Sequence, residues 1–210
     1  CTSSSYSYKW STFPKPDYHV HRDVQVVLLA AGIIHANSIG NQGGDPHHPV
    51  PFQIAVPGCV PGPWRHPVQT QDFAGRAASL GCGAVELGGL PYAFSSLGPC
   101  AWEDVKLYSP SYDFPQDPAY WDHPVGGFGL LHQGLIKPDV VAPTQVTTTA
   151  PGGLYATLGG TSAATPHLGG AYALLLSASP AAEPRHISQA LQITAQEAWL
   201  ERQSHVRVRF

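Results

Sequence analysis

Gly159-Gly160-Thr161-Ser162-Ala163-Ala164-Thr165-Pro166-His167 opens the most helix-like stretch of the chain, and its reading decides the fold. Two glycines let the backbone turn sharply and pass close to a neighbour. Ser162 follows where a helix begins, in the place of a cap residue. Pro166 is tolerated because it falls near the first turn, where backbone donors lack intrahelical partners. Behind it, the span from Ser162 to Ser177 is lined by Ala163, Ala164, Gly169, Gly170, Ala171 and Ala173, with Leu174, Leu175 and Leu176 following. Small residues all round predict close packing on every side, hence a central, buried helix. The Ser162 hydroxyl is then expected at a helix N-terminus, where backbone amides and the helix dipole favour negative charge. An acyl-transfer nucleophile needs that setting, because an oxyanion develops beside it. The plainer alternative is a serine that only caps a buried helix.

Outward from this stretch the pattern alternates between short strands and helices. Val140-Val141-Ala142 reads as a short strand ending at Pro143. Ala77 to Leu87 reads as a strand region broken by Gly81 and Gly83. Asp23 to Ala31 predicts a short helix stopped by Gly32, followed by an apolar strand over Ile33 to Asn37. This step suits a parallel sheet covered on both faces. A second helix is expected from about Arg185 to Arg202, of mixed polarity and at the surface. Residues 1–23 read as loop, 40–72 as a Gly/Pro-rich excursion and Ala101 to Gln133 as an aromatic, Pro-rich surface insertion. Val206-Arg207-Val208 reads as a terminal strand.

Composition narrows the function. With 210 residues and 43% hydrophobic content the chain can bury a real core, which excludes intrinsic disorder. Charged residues are only 12%, about half the usual share, and no Lys/Arg run forms a stripe. With a net charge of −3, nucleic acid is excluded as a partner class. The longest apolar stretch, Val24 to Ile34, is interrupted by Gln25 and too short for a bilayer, so no membrane partner is expected. Cys1, Cys59, Cys82 and Cys100 contain no Cys-x-x-Cys spacing, which argues against structural zinc. One or two disulfides and buried free thiols both fit this pattern.

Gly160-Thr161-Ser162-Ala163-Ala164-Thr165-Pro166-His167 closely resembles the nucleophile motif of the subtilisin-like serine proteases, Gly-Thr-Ser-Met-Ala-x-Pro-His, with Ala163 where Met is usual. Ile39-Gly40-Asn41-Gln42-Gly43 is similar to that family's Ala-Gly-Asn-x-Gly turn. Phe94-Ser95-Ser96-Leu97-Gly98-Pro99 resembles its Phe-Ser-Ser-x-Gly-Pro segment, and Lys137-Pro138-Asp139-Val140-Val141-Ala142-Pro143 its Lys-Pro-Asp-Val-x-Ala-Pro stretch. Four motifs in family order are a specific signal. The resemblance implies that Ser162 attacks the scissile carbonyl and that Asn41 donates its amide to the oxyanion. It implies that Ser38 and Gly40 line the main specificity pocket, and that His167 is a packing residue. Taken alone, Asn41 reads first as a residue suited to positive φ in a Gly-flanked turn, and only beside Ser162 does the oxyanion role prevail.

The family's catalytic Asp and His should precede Asn41 in Asp-x-Gly and His-Gly-x-His settings. Asp17 and Asp23, and His19, His21 and His35, have no such surroundings. His167 lies five residues beyond Ser162, a rotation of about 140° on a helix, so the two side chains diverge. His47, His48 and His66 read as loop histidines facing solvent or local hydrogen bonds, and no metal site is expected from them. Without a base a serine stays protonated and is a poor nucleophile. The chain is therefore expected to be the nucleophile and oxyanion half of a larger catalytic domain, residues 1–210 forming a partial peptidase domain. The absence of Met and the start at Cys1 are expected of a piece or a mature product; Cys1-Thr2-Ser3-Ser4 also matches the start of a lipoprotein, which the expected truncation disfavours.

The expected fold is α/β: a three-layer domain with a mainly parallel sheet flanked by helices, here incomplete, with an apolar edge and face exposed. The expected function is a secreted or extracytoplasmic serine endopeptidase acting on peptides or proteins. It requires an upstream Asp/His-bearing segment in the same or another chain. It needs no cofactor, with calcium, common in the family, as an optional structural ion. The competing expectation is a pseudoprotease or peptide-binding module that keeps the groove without the chemistry. An α/β-hydrolase is excluded because Gly-x-Ser-x-Gly does not surround Ser162.

Overall fold

A computed structural model describes residues 1–9, 17–48, 50, 52–65, 76–98, 100 and 135–195. Its centre is a four-stranded sheet in the order β1 (Thr2–Ser4), β2 (His35–Ser38), β3 (Ser79–Val85), β4 (Val140–Pro143), every pair parallel. Parallel neighbours require crossovers. The first carries α1 (Tyr18–Ala30), and two further helices follow the sheet, α2 (Thr161–Ala178) and α3 (Pro184–Thr194). Between sheet and α2 stands an antiparallel hairpin, β5 (Val146–Ala150) with β6 (Leu154–Leu158). The α/β arrangement expected from the sequence, a parallel sheet flanked by helices, is what forms.

The core explains the strand order. Leu80, Cys82 and Ala84 alternate along one face of β3 and pack with Ala36, Val140 and Ala142 against Ala164, Leu168 and Tyr172 of α2 and Ile187 of α3. Gly81 and Gly83 point the other way. They do not break the strand, as the sequence suggested, because close crossings of other segments require them. A Cβ on Gly81 would lie 2.7 Å from the Gly58 carbonyl oxygen, and one on Gly83 2.9 Å from Pro138 Cγ. Burying each large aliphatic side chain of this cluster contributes about 1.5–3 kcal/mol.

Several local expectations are corrected. Residues 1–23 are not all loop. Thr2–Ser4 form the sheet's edge strand, and α1 starts at Tyr18, five residues before the expected start at Asp23, because Asp17 Oδ1 accepts the Val20 amide at 3.2 Å as an N-cap. Gly32, with φ of 74°, stops it as expected. Helix α2 is not packed on every side. Its inner face is buried, but Pro166, His167, Gly170 and Leu174 are exposed along its outer face. The small residues serve close approach at particular points instead: a Cβ on Gly169 would sit 3.0 Å from Ser3 Cβ of β1. The hairpin escaped the sequence reading, although β-branched Val146 to Thr149 and the Pro151-Gly152-Gly153 turn, with φ of 78° and 74° at its glycines, carried its signal. Helix α3 covers only part of the expected Arg185–Arg202 span, since residues from 196 onward lie outside the described set. The insertion at 101–133 and the strand at 206–208 also lie outside it.

Candidate active site

The site forms at the N-terminus of α2. The helix cap is Gly160, with φ of 81°, and not Ser162, which is the second helical residue. That correction has a steric cause. A Cβ on Gly160 would lie 2.8 Å from Asn41 Nδ2, so only glycine allows the loop carrying Asn41 to come so close. The cap's own residue offers no side-chain acceptor, and Asn41 takes over that task from a segment 120 residues away. Its Oδ1 accepts the Thr161 amide at 2.8 Å and the Thr161 hydroxyl at 3.0 Å. With the oxygen engaged twice, the amide orientation is fixed, and the Nδ2 donors make no hydrogen bond among the described residues. Ser162 is half-buried, and its hydroxyl likewise has no partner among the described residues. The Ser162 carbonyl accepts the Ser5 hydroxyl at 3.0 Å.

The structure thus brings Ser162 and Asn41 to one place, and the other motifs lock that place together. Gly40, buried with φ of 102°, accepts the Ser96 amide at 3.0 Å, while Ser96 Oγ accepts the Gln42 amide at 3.1 Å. Gly43 donates to the Phe94 carbonyl at 2.9 Å. Gly98 in turn donates to the Lys137 carbonyl at 3.0 Å, and Gly81 donates to Asp139 Oδ2 at 2.6 Å. Thr144, just past β4, donates its hydroxyl to the Gly160 carbonyl at 2.9 Å. Four sequence motifs therefore close into a ring of contacts, from 39–43 through 94–98 and 137–144 to 160–162 and back to Asn41. Ser38 lies in this neighbourhood at the end of β2, buried at 1% exposure and paired with Cys82 of β3.

Beneath the ring lies a buried ion pair. Lys137 Nζ donates to Asp139 Oδ2 at 2.5 Å, with side-chain exposures of 1% and 10%. Burial pushes the Asp139 carboxyl above its ordinary value, and the Lys137 charge offsets part of that.

The histidines stand elsewhere. His35 Nδ1 meets the Gln25 side chain at about 3.0 Å, and partial burial lowers its pKa. His21 is lowered by burial too, against an opposing pull from Asp17. His48 Nδ1 pairs with Asp45 Oδ2 at 2.7 Å, and the His47 amide donates to Asp45 Oδ1 at 2.9 Å; those bonds hold the Asp45 carboxyl below its ordinary value, the His47 amide most of all. His167 is not an interior packing residue. It is exposed on α2, donates Nδ1 to the Ala163 carbonyl at 3.0 Å, and lines a groove of about 510 Å³ with Pro166, Leu174, Val146 and Leu158. The His19 side chain and His66 lie outside the described residues. Among the described residues no group of three or more His, Cys, Asp or Glu side chains is placed to hold a metal ion. No helix among them is long and apolar enough to cross a membrane. All four cysteines are free thiols; burial pushes Cys59 and Cys82 up to about 12, so both stay protonated and unreactive.

A parallel sheet packed against a helix that carries Ser162 in its first turn, with the Asn41 side chain held at that helix's N-terminus, defines an α/β fold. The Subtilase family model matches residues 11–207, and the chain belongs to that family. Subtilisin of Bacillus pumilus is 45% identical over 58 residues, which cover 27% of this chain and 21% of that protein. Subtilisin E of Bacillus subtilis (strain 168) shares 45% over 58 residues, covering 27% of this chain and 15% of its own length. Among solved structures, a cold-adapted subtilisin-like serine proteinase superposes with a TM-score of 0.56 at 17% identity, over 95% of this chain and 48% of that one. The self-cleaved protease domain of PatA does so with a TM-score of 0.54 at 22% identity, over 91% and 52%. These structural likenesses show the fold. The chain spans about half the length of the solved structures it matches.

Proposed function

We propose that residues 1–210 make up the nucleophile and oxyanion half of a serine endopeptidase that cleaves peptide bonds through an acyl-enzyme on Ser162. The observation that carries this reading is the pair of hydrogen bonds from Thr161, the residue before Ser162, to Asn41 Oδ1, which engages the Asn41 oxygen and leaves its Nδ2 donors without a hydrogen bond among the described residues. Such a donor, fixed before reaction, stabilises developing negative charge without reorganising. Ser38 and Gly40, on the segment leading into Asn41, contribute to the specificity pocket; both are buried, so they act through backbone and shape.

The general base is supplied by an upstream Asp/His-bearing segment, in the same chain or another. Without it Ser162 remains protonated, and the oxyanion donor with binding leaves residual catalysis on the order of 10³–10⁴ over water, a magnitude measured on subtilisin, a relative. The substrates are peptides or proteins met outside the cytoplasm, in keeping with the family, and the reaction uses no cofactor. A fluorophosphonate probe with mass-spectrometric mapping tests the reading. Labelling of Ser162 once the Asp/His-bearing segment is supplied supports an enzyme. Failure to label in that full assembly would instead favour a peptide-binding pseudoprotease, a reading left open by a Ser162 hydroxyl with no partner among the described residues.

A further inference from the structure

The first turn of α2 has a defect built into its sequence. In a helix the carbonyl of residue 162 accepts the amide of residue 166, but residue 166 is proline and has no N–H. The carbonyl left without its donor belongs to Ser162 itself. The structure fills it from the far end of the chain: Ser5 Oγ donates to the Ser162 carbonyl at 3.0 Å, across 157 residues. The contact is not isolated. Ser3, two positions earlier on the same strand face, sits where a Cβ on Gly169 would meet it at 3.0 Å. Gly169 lies seven residues beyond Ser162, two turns along the same helix face. The edge strand β1 and the residue just past its end thus seat on α2 at two points, one a steric contact at Ser3 and one a hydrogen bond from Ser5 to the Ser162 peptide group.

We propose that Ser5 is a positioning residue. Its hydroxyl substitutes for the missing Pro166 amide and fixes the first turn of α2, so that Ser162 keeps its place relative to Asn41. Ser5 touches no reacting atom and acts only through the Ser162 backbone. The inference rests on the reading of Ser162 as the nucleophile.

Thr and Val at position 5 have the same shape and differ in the hydroxyl, so Ser5→Thr and Ser5→Val form the test pair. In the protein assembled with its Asp/His-bearing segment, Ser5→Val is expected to lower kcat roughly two- to tenfold with KM unchanged, the scale of one hydrogen bond, and Ser5→Thr to restore it. Pro166→Ala returns a backbone donor to the Ser162 carbonyl, so in that background Ser5→Val should lose most of its effect. Equal losses in both backgrounds, or no loss in the first, would overturn the proposal. A second readout needs no activity. Ser162-Ala163 and Ser177-Ala178 are the two Ser-Ala dipeptides of the chain. With carbonyl ¹³C in serine and ¹⁵N in alanine, Ser5→Val must shift the Ser162 signal and leave that of Ser177 in place. If the native protein never takes up the fluorophosphonate while the Ser162 signal still moves, the nucleophile reading has failed and Ser5 has nothing to position. If it labels, and the Thr and Val variants share one kcat, only the Ser5 inference falls.

Discussion

The two faces of α2 follow opposite rules. The inner face carries Ala164, Leu168 and Tyr172 into the core, and its first turn is held by Asn41 through Thr161, by Thr144 through Gly160 and by Ser5 through Ser162. The outer face carries Pro166, His167, Gly170 and Leu174, exposed and lining a groove towards the β5–β6 hairpin. Position on the inner face is set by many independent contacts. On the outer face little but the helix's own backbone sets it. The comparison teaches that the N-terminal turn of α2 is held by side chains from three separate segments, because Asn41, Thr144 and Ser5 all reach it from within this chain.

The largest expected effect removes the nucleophile. Ser162→Ala in the assembled enzyme should reduce turnover of a peptide substrate by about 10⁶-fold, the scale seen for the corresponding loss in subtilisin. Its melting temperature should hardly move, because the Ser162 hydroxyl holds nothing in place among the described residues. Hydrolysis within tenfold of native would place the chemistry elsewhere.

Next comes the ion pair beneath the ring. Lys137→Met leaves the Asp139 carboxylate buried without its counter-charge, at a cost of about 3–5 kcal/mol near neutral pH. The sign with pH follows from the raised Asp139 carboxyl. A raised acid binds its proton more tightly in the folded state, so its contribution to stability is present below the unfolded value and lost as pH rises through the folded one. In Lys137→Met that value rises further, and denaturant midpoints should fall steadily from about pH 4 upward, more steeply than in the native chain. A variant whose stability did not change with pH would mean that Asp139 finds another partner.

Asn41 separates two jobs that share one side chain. Asn41→Asp keeps an oxygen for the Thr161 amide and hydroxyl, and a negative charge suits a helix N-terminus, so stability should hold. It removes the donor, and kcat should drop by about 10²–10³ or more with little change in KM. Asn41→Ala should show the same loss in rate and in addition about 1 kcal/mol in stability, the worth of a helix cap. Equal stability losses in both variants would show that the cap geometry is not what holds the turn.

The inner face was legible in the sequence only where a local motif carried it. Ser162 and Asn41 stood out because the motifs around them resemble those of the subtilisin-like proteases; taken alone, each also read as a structural residue, a helix cap and a turn residue. The four motifs were visible one by one, but their closure into a ring was not, since Gly98 with Lys137 and Thr144 with Gly160 are pairings across sequence that spacing does not encode. Ser5 was invisible for the same reason, a polar residue in a segment that reads as loop. The Asp17 cap was readable and was missed, because apolar periodicity begins later than the helix does. Gly81 and Gly83 misled because their demand comes from Gly58 and Pro138, segments far off in the chain.

The smallest expected effect tests the outer face. Leu168 and Leu174 lie on opposite faces of the same helix, at 5% and 74% exposure. Leu168→Ala should cost about 2–5 kcal/mol through lost burial and a cavity against β3 and β4. Leu174→Ser removes as large a side chain, yet it should change stability by no more than about 0.5 kcal/mol, because water already surrounds it. Urea denaturation of the two variants side by side gives the ratio directly. A cost for Leu174→Ser approaching that of Leu168→Ala would mean that the groove facing the hairpin is filled in the folded protein. The asymmetry between the two faces would then belong to the described residues alone and not to the working molecule.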